Sequence, residues 1–223
     1  VDVCVVDSGV DLDHPLVGPL ASALAVAREG EEVSIVEDEL GDVCGHGTAC
    51  AGIVRSLAPG ARLHSVRVLG AGATGAADLI LAGLRHAIES GHRVISLSLS
   101  TTKRRFAEDL HELADLAYFN RTILVASAHN LPVDSYPWRF SSVISVGSHE
   151  ERDPFIWYAN PDPPVELFAR GVDFTNDLLH LRPVGFAAGF EVIDLGSDLR
   201  PTRDVDELVH GFDQAVAFAA HVR

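Results

Sequence analysis

Short β-type runs alternate with helix-length amphipathic runs along most of this chain, and that alternation restricts its fold more than any other feature. Val1 to Val6, Leu63 to Leu69, Arg93 to Leu99, Thr122 to Ser127 and Ser142 to Gly147 read as strands. Between them, Ala76 to Ser90 sets Leu79, Ile80, Gly83, Leu84, Ala87 and Ile88 on one stripe, and Gly91 follows as a C-terminal stop. Arg105 to Phe119 does the same with Phe106, Leu110, Leu113, Ala114 and Ala117. Strands alternating with helices of this length predict βαβ units: an α/β fold of three layers, with a mostly parallel, twisted sheet carrying helices on both faces. In such sheets ligands bind beyond the carboxyl ends of the strands. Residues just after a strand therefore bear on function.

Three polar residues fall at or near such places. Asp7, in Asp7-Ser8-Gly9, ends the first apolar run, where a carboxylate can orient an imidazole or simply close a turn. His46 stands in Gly45-His46-Gly47-Thr48-Ala49-Cys50-Ala51-Gly52. The glycines allow a tight turn and close approach, and the small residues after them suit a helix packed hard on a sheet. A histidine at that helix start can act as general base near neutral pH. Asn130 follows the run ending at Ser127, where its amide can donate to a developing oxyanion or serve an ordinary turn.

Taken in order, Asp7-Ser8-Gly9, His46-Gly47-Thr48, Ser98-Leu99-Ser100, Ala128-His129-Asn130, and Tyr136-Pro137 followed by Val143 to Gly147 resemble the subtilisin family of serine proteases. The resemblance runs from residue 1 to about residue 173. It implies a peptide-bond hydrolase working through an acyl-enzyme. Asp7 would orient His46, His46 would deprotonate a serine, and Asn130 would join a backbone N–H in the oxyanion hole. Ser98, Leu99 and Ser100 would form an extended edge that pairs with the substrate backbone and lines the P1 pocket, and Ser127, Ala128 and His129 would also bind substrate. The implied partner is a peptide or protein substrate, bound by a monomer.

The chain departs from the family pattern in several places. Ser100 and His129 stand where the family has glycine, and Ala169-Arg170-Gly171 replaces an Ala-Pro-Gly. No Gly-Thr-Ser or Gly-Asn-Ser motif is present. Aligning Pro183-Val184-Gly185-Phe186-Ala187-Ala188-Gly189 on its Phe-Ala-Ala puts Gly185 at the nucleophile position, which would leave the triad incomplete and activity in doubt. Ser197, the only serine after Ser148, lacks a helix-opening motif around it. Three accounts stay open: a frameshifted, spliced or mis-assembled segment after Phe174, a silent pseudo-protease that binds extended peptides, and an atypical use of Ser197. The domain reading is a peptidase domain over 1–189, degenerate from about residue 174, and a strand–helix segment over 190–223.

Seventeen Lys plus Arg against 32 Asp plus Glu give a net charge of −15, which argues against nucleic acid and anionic membrane surfaces. Without an apolar run long enough to span a bilayer, no membrane partner is expected. Three cysteines cannot all pair internally and read as buried thiols. Cys44, His46 and Cys50 have a zinc-like spacing without an evident fourth ligand, so no metal and no cofactor is expected; Asp7, Asp11 and Asp13 offer oxygens to calcium, without further support. The chain has no methionine and opens inside an apolar run, as a piece of a longer product would. No leader is visible, and the compartment stays open: secreted by family habit, or cytoplasmic.

Overall fold

Val3 and Val5 point to one face of the first strand and Cys4 and Val6 to the other, and all four are buried. Such a strand needs apolar cover on both sides, and the side-chain period of two sends each set to a different layer. A computed structural model of the protein describes residues 1–70, 75–129, 133–149, 156–161 and 164–170. In it β1 (Asp2–Asp7) lies in the interior of a nine-stranded sheet. The other strands are β2 (Ser22–Glu29), β3 (Glu32–Glu37), β4 (Arg62–Arg67), β5 (Val94–Leu97), β6 (Ile123–Ser127), β7 (Ile144–His149), β8 (Trp157–Ala159) and β9 (Leu167–Arg170). Their order is β3-β2-β4-β1-β5-β6-β7-β9-β8. Among the strands of the described residues, the outermost pairs, β2–β3 and β8–β9, run antiparallel and the others parallel.

Among the described residues three α-helices cover the sheet: α1 (His46–Leu57), α2 (Ala77–Glu89) and α3 (Ala107–Phe119). Cys50, Ala51 and Val54 of α1 pack with Val3 and Val5 of β1 and with Leu63, Val94 and Val125. On the other face Ile80, Leu84 and Ile88 of α2 and Leu110, Leu113 and Ala117 of α3 pack with Cys4, Val6 and Ile95. The three-layer, mostly parallel arrangement expected from the alternation is present. The β2–β3 hairpin was not anticipated. Its β3 alternates exposed Glu32, Ser34 and Val36 with half-buried Val33 and Ile35 and lies at the sheet's edge, so it lacks the unbroken apolar run by which interior strands are recognised. The strand expected over 190–195 and the helix over 204–222 lie outside the described residues. Among the described residues no helix is long and apolar enough to cross a membrane.

Parallel strands place the amino ends of β1 and β4 together at one rim and their carboxyl ends, Asp7 beside Arg67, at the other. The amino rim holds a titratable cluster. His64 shares hydrogen bonds with Ser22 Oγ at 2.8 Å and Asp2 Oδ1 at 3.0 Å, and its ring lies 4.3 Å from that of His92. The bond from His64 holds the Asp2 carboxyl below its ordinary value. Burial pushes His92 down to about 4; His64, His86 and Arg62 add to this, and Asp2 opposes it. An unfolded histidine binds a proton near pH 6.5, so between pH 6.5 and 4 the unfolded chain takes up the proton that folded His92 refuses. His92 is therefore expected to leave stability intact above pH 6.5 and to lower it by on the order of 2–3 kcal/mol as pH falls toward 4. Urea melts of the wild type and His92→Gln across that interval check this. The wild type should lose more stability than the variant, and parallel curves would count against it.

Candidate active site

At the carboxyl rim, chain direction and helix geometry bring two residues 39 positions apart into contact. Asp7 is the last residue of β1, and its Oδ1 accepts the N–H of Ser8 at 2.7 Å. His46 is the first residue of α1. Gly45 precedes it with φ of 88°, a left-handed turn that swings the chain into the helix and that a side chain would strain. His46 Nδ1 meets Asp7 Oδ1 at 2.6 Å, with both side chains buried. A carboxylate only accepts, so this contact selects the tautomer with the proton on Nδ1 and leaves a lone pair on Nε2. The other carboxylate oxygen of Asp7, Oδ2, is buried and lacks a hydrogen-bond partner among the described residues.

The approach of α1 to β1 depends on glycines. A Cβ at Gly47 would lie 2.1 Å from the carbonyl oxygen of Gly9 and 3.2 Å from Cβ of Asp7. Gly9 itself has φ of 95° and would clash with the Gly41 carbonyl oxygen at 2.3 Å. These backbones touch, and the contact brings His46 within reach of Asp7.

A third group completes the cluster. Cys50 lies one helical turn after His46, on the same face, with Sγ 3.8 Å from His46 Nδ1 and 3.9 Å from Ser98 Oγ. The polar atoms of Asp7, His46 and Cys50 all fall within 4.8 Å of one another. This corrects the sequence reading, which left the third position of the site to Gly185 and doubted activity on that ground. The Asp7–His46 cluster has a thiol as its third member, not a glycine, and Gly185 lies outside the described residues. Helical periodicity was the available signal, since residues i and i+4 share a face. Cys50 is 0% exposed and stands on the Nδ1 side, where Asp7 already holds the ring. It therefore backs the imidazole, while a substrate would meet Nε2. Cys44, the other cysteine of the zinc-like spacing, is not in the group. Burial pushes the Cys44 and Cys4 thiols up, so both stay protonated near neutral pH.

The remaining residues singled out from the sequence are distributed along the same rim. Ser98, Leu99 and Ser100 leave the carboxyl end of β5, beside β1. Thr101 then pairs antiparallel with Tyr136, each N–H bonding the other's carbonyl at 2.9 Å. Ser127 ends β6 and is followed by Ala128, whose N–H donates to Val146 O at 2.8 Å, and by His129. Asn130 lies outside the described residues. Beside the Ser98–Thr101 segment is an apolar hollow lined by Ile80, Leu81, Leu97, Leu99, Phe106 and Tyr136, among others.

Fold and site together describe a mostly parallel α/β sheet whose carboxyl rim holds a carboxylate-paired imidazole beside an extended edge. The profile described as Peptidase_S8, Subtilase family, matches residues 1–200, and the chain belongs to that family. It is 27% identical to subtilisin DY of Bacillus licheniformis over 187 residues, covering 77% of this chain and 65% of the relative. It is 29% identical to thermitase of Thermoactinomyces vulgaris, covering 76% and 62%. With the minor extracellular protease Epr of Bacillus subtilis it shares 27% identity, over 81% of this chain and 28% of that one. The chain thus spans less than two thirds of these relatives' length. Among solved structures, a crystal structure of a lanthipeptide protease superposes with a TM-score of 0.55 at 28% identity, covering 66% of this chain and 48% of that one.

Proposed function

We propose that this chain supplies the general base and the substrate-binding rim of a subtilisin-type serine endopeptidase. The observation that carries the reading is the 2.6 Å contact of His46 Nδ1 with Asp7 Oδ1 at the carboxyl rim, beside the Ser98–Ser100 edge. In this mechanism the hydroxyl of a nucleophilic serine, for which the sequence outside the described residues offers only Ser197 without the family's motif, would give its proton to His46 Nε2. Its oxygen attacks the peptide carbonyl carbon, and the π electrons move onto the carbonyl oxygen. Asn130 and a backbone N–H stabilise that oxyanion. His46 then returns the proton to the leaving amine, which departs as the acyl-enzyme forms.

The rim also sets what would bind. A peptide added along Ser98 to Ser100 would lie beside the hollow next to Leu99, which suits an apolar side chain. Filling it by Ile80→Trp is expected to weaken binding of peptides with a large aliphatic residue at the facing position by about tenfold, the cost of roughly 1.4 kcal/mol. Fluorescence anisotropy with a labelled peptide series measures this; equal loss for apolar and polar residues at that position would dismiss the hollow as a subsite.

An alkyl fluorophosphonate tests the reading as a whole. Covalent labelling that disappears in His46→Ala supports the endopeptidase. Measurable binding of an extended peptide without any labelling would replace it with a peptide-binding module.

A further inference from the structure

We propose that Asp42 is a positioning residue for the Asp7–His46 pair: it ties the chain after β1 to the first turn of α1 and so holds the imidazole against its carboxylate. Five hydrogen bonds converge on this one side chain. Oδ1 accepts the N–H of Cys44 at 3.0 Å, the N–H of Gly45 at 2.7 Å and the hydroxyl of Ser8 at 2.8 Å. Oδ2 accepts the N–H of Thr48 at 2.8 Å and its hydroxyl at 2.5 Å.

These partners lie on both sides of the pair. Ser8 immediately follows Asp7, and its oxygen also accepts the N–H of Gly47 at 3.0 Å. Gly45 and Gly47 immediately flank His46. Asp42 and Ser8 therefore bridge the residue after the carboxylate to the residues on both sides of the imidazole. Helix α1 has no side-chain cap from Gly45. Asp42, four residues before His46, takes over part of that duty by accepting the Thr48 N–H from outside the helix, and its charge favours the positive end of the helix dipole. Without it the Gly45 and Gly47 backbone, glycine on both sides of His46, has no side chains of its own to hold the turn.

A loss of stability alone would not distinguish positioning from ordinary support, so the test reads the dyad directly. It rests on the base role given to His46 but needs no turnover, so it can fail while the endopeptidase reading survives. The probe is the far-downfield proton resonance of a histidine N–H bound to a carboxylate, assigned to His46 by its absence in His46→Ala. Asp42→Asn keeps the shape of the side chain but replaces one acceptor with a donor. It is expected to lose this resonance at a temperature where the variant is still folded. Asp38→Asn is the control. Asp38 is a buried carboxylate in the same loop that holds the N–H groups of Leu40 and Gly41 and the Arg67 guanidinium, contacts that all lie outside α1. It should lower the melting temperature and keep the resonance. Retention of the resonance in Asp42→Asn, or its loss in both variants, would overturn the proposal, as would its absence from the native chain. Should Asp42→Asn not fold, Ser8→Ala decides: it cuts the Asp42–Ser8–Gly47 bridge and leaves the Asp42 bonds to Cys44, Gly45 and Thr48, and an undisturbed resonance there would likewise overturn the proposal.

Discussion

Replacing His46 by alanine is expected to reduce fluorophosphonate labelling and hydrolysis of peptide esters by roughly 10⁶-fold, the magnitude established on a subtilisin for the corresponding change. The size follows from what the ring supplies. A serine hydroxyl is a poor nucleophile until a base takes its proton, and at this rim the lone pair on Nε2 is left by the 2.6 Å contact of Nδ1 with Asp7. Cys50 cannot stand in, because its sulfur is fully buried on the far side of the ring. Truncation also strands Asp7, a buried carboxylate that would lose the acceptor contact with its imidazole, at a cost of about 1–3 kcal/mol. The comparison therefore has to be made well below the melting temperature of the variant. Labelling of His46→Ala at the native rate would remove His46 from the mechanism, and with it the reading of the carboxyl rim as catalytic.

The second large effect is on the fold. Gly47→Ala is expected to destabilise the chain by at least about 3 kcal/mol, or to prevent folding, because the added methyl would lie 2.1 Å from the Gly9 carbonyl oxygen. That obstacle is backbone, not the movable end of a side chain. Relief requires α1 to retreat from β1, and the same retreat pulls His46 from Asp7. Gly60→Ala is the comparison, since nothing lies within 4 Å of a Cβ there. Thermal melting should separate the two variants widely; similar midpoints would mean that the close contact of the Gly9 and Gly47 backbones is not what holds the helix in place.

The layered α/β class was legible because it rests on local patterns. Ile80, Gly83, Leu84, Ala87 and Ile88 recur at helical spacing and are buried in α2, and Val3 to Val6 and Val94 to Leu97 form runs without polar interruption except Ser96. Antiparallel additions at the sheet's edges were not legible. Strand β3 keeps Glu32 and Glu37 at its ends, and β8 is exposed along its length, so edge position removed the apolar signal that interior strands carry. Asp7 and His46 could be singled out by the residues around them: one closes an apolar run, the other sits between glycines ahead of a small-residue helix.

Periodicity alone thus determined that this polypeptide would build a helix-covered, mostly parallel sheet with Asp7 at the carboxyl end of a strand. The identity of the third group beside the imidazole, and the part played by Asp42, were decided in three dimensions. A helical turn carried Cys50 under the ring, and a loop folded one carboxylate onto five donors from Ser8 to Thr48. Burial and hydrogen-bond partnership are properties of the packed chain. A linear pattern records which side chain is available at each position, whereas the bonds it makes depend on neighbours that only folding brings within about 3 Å.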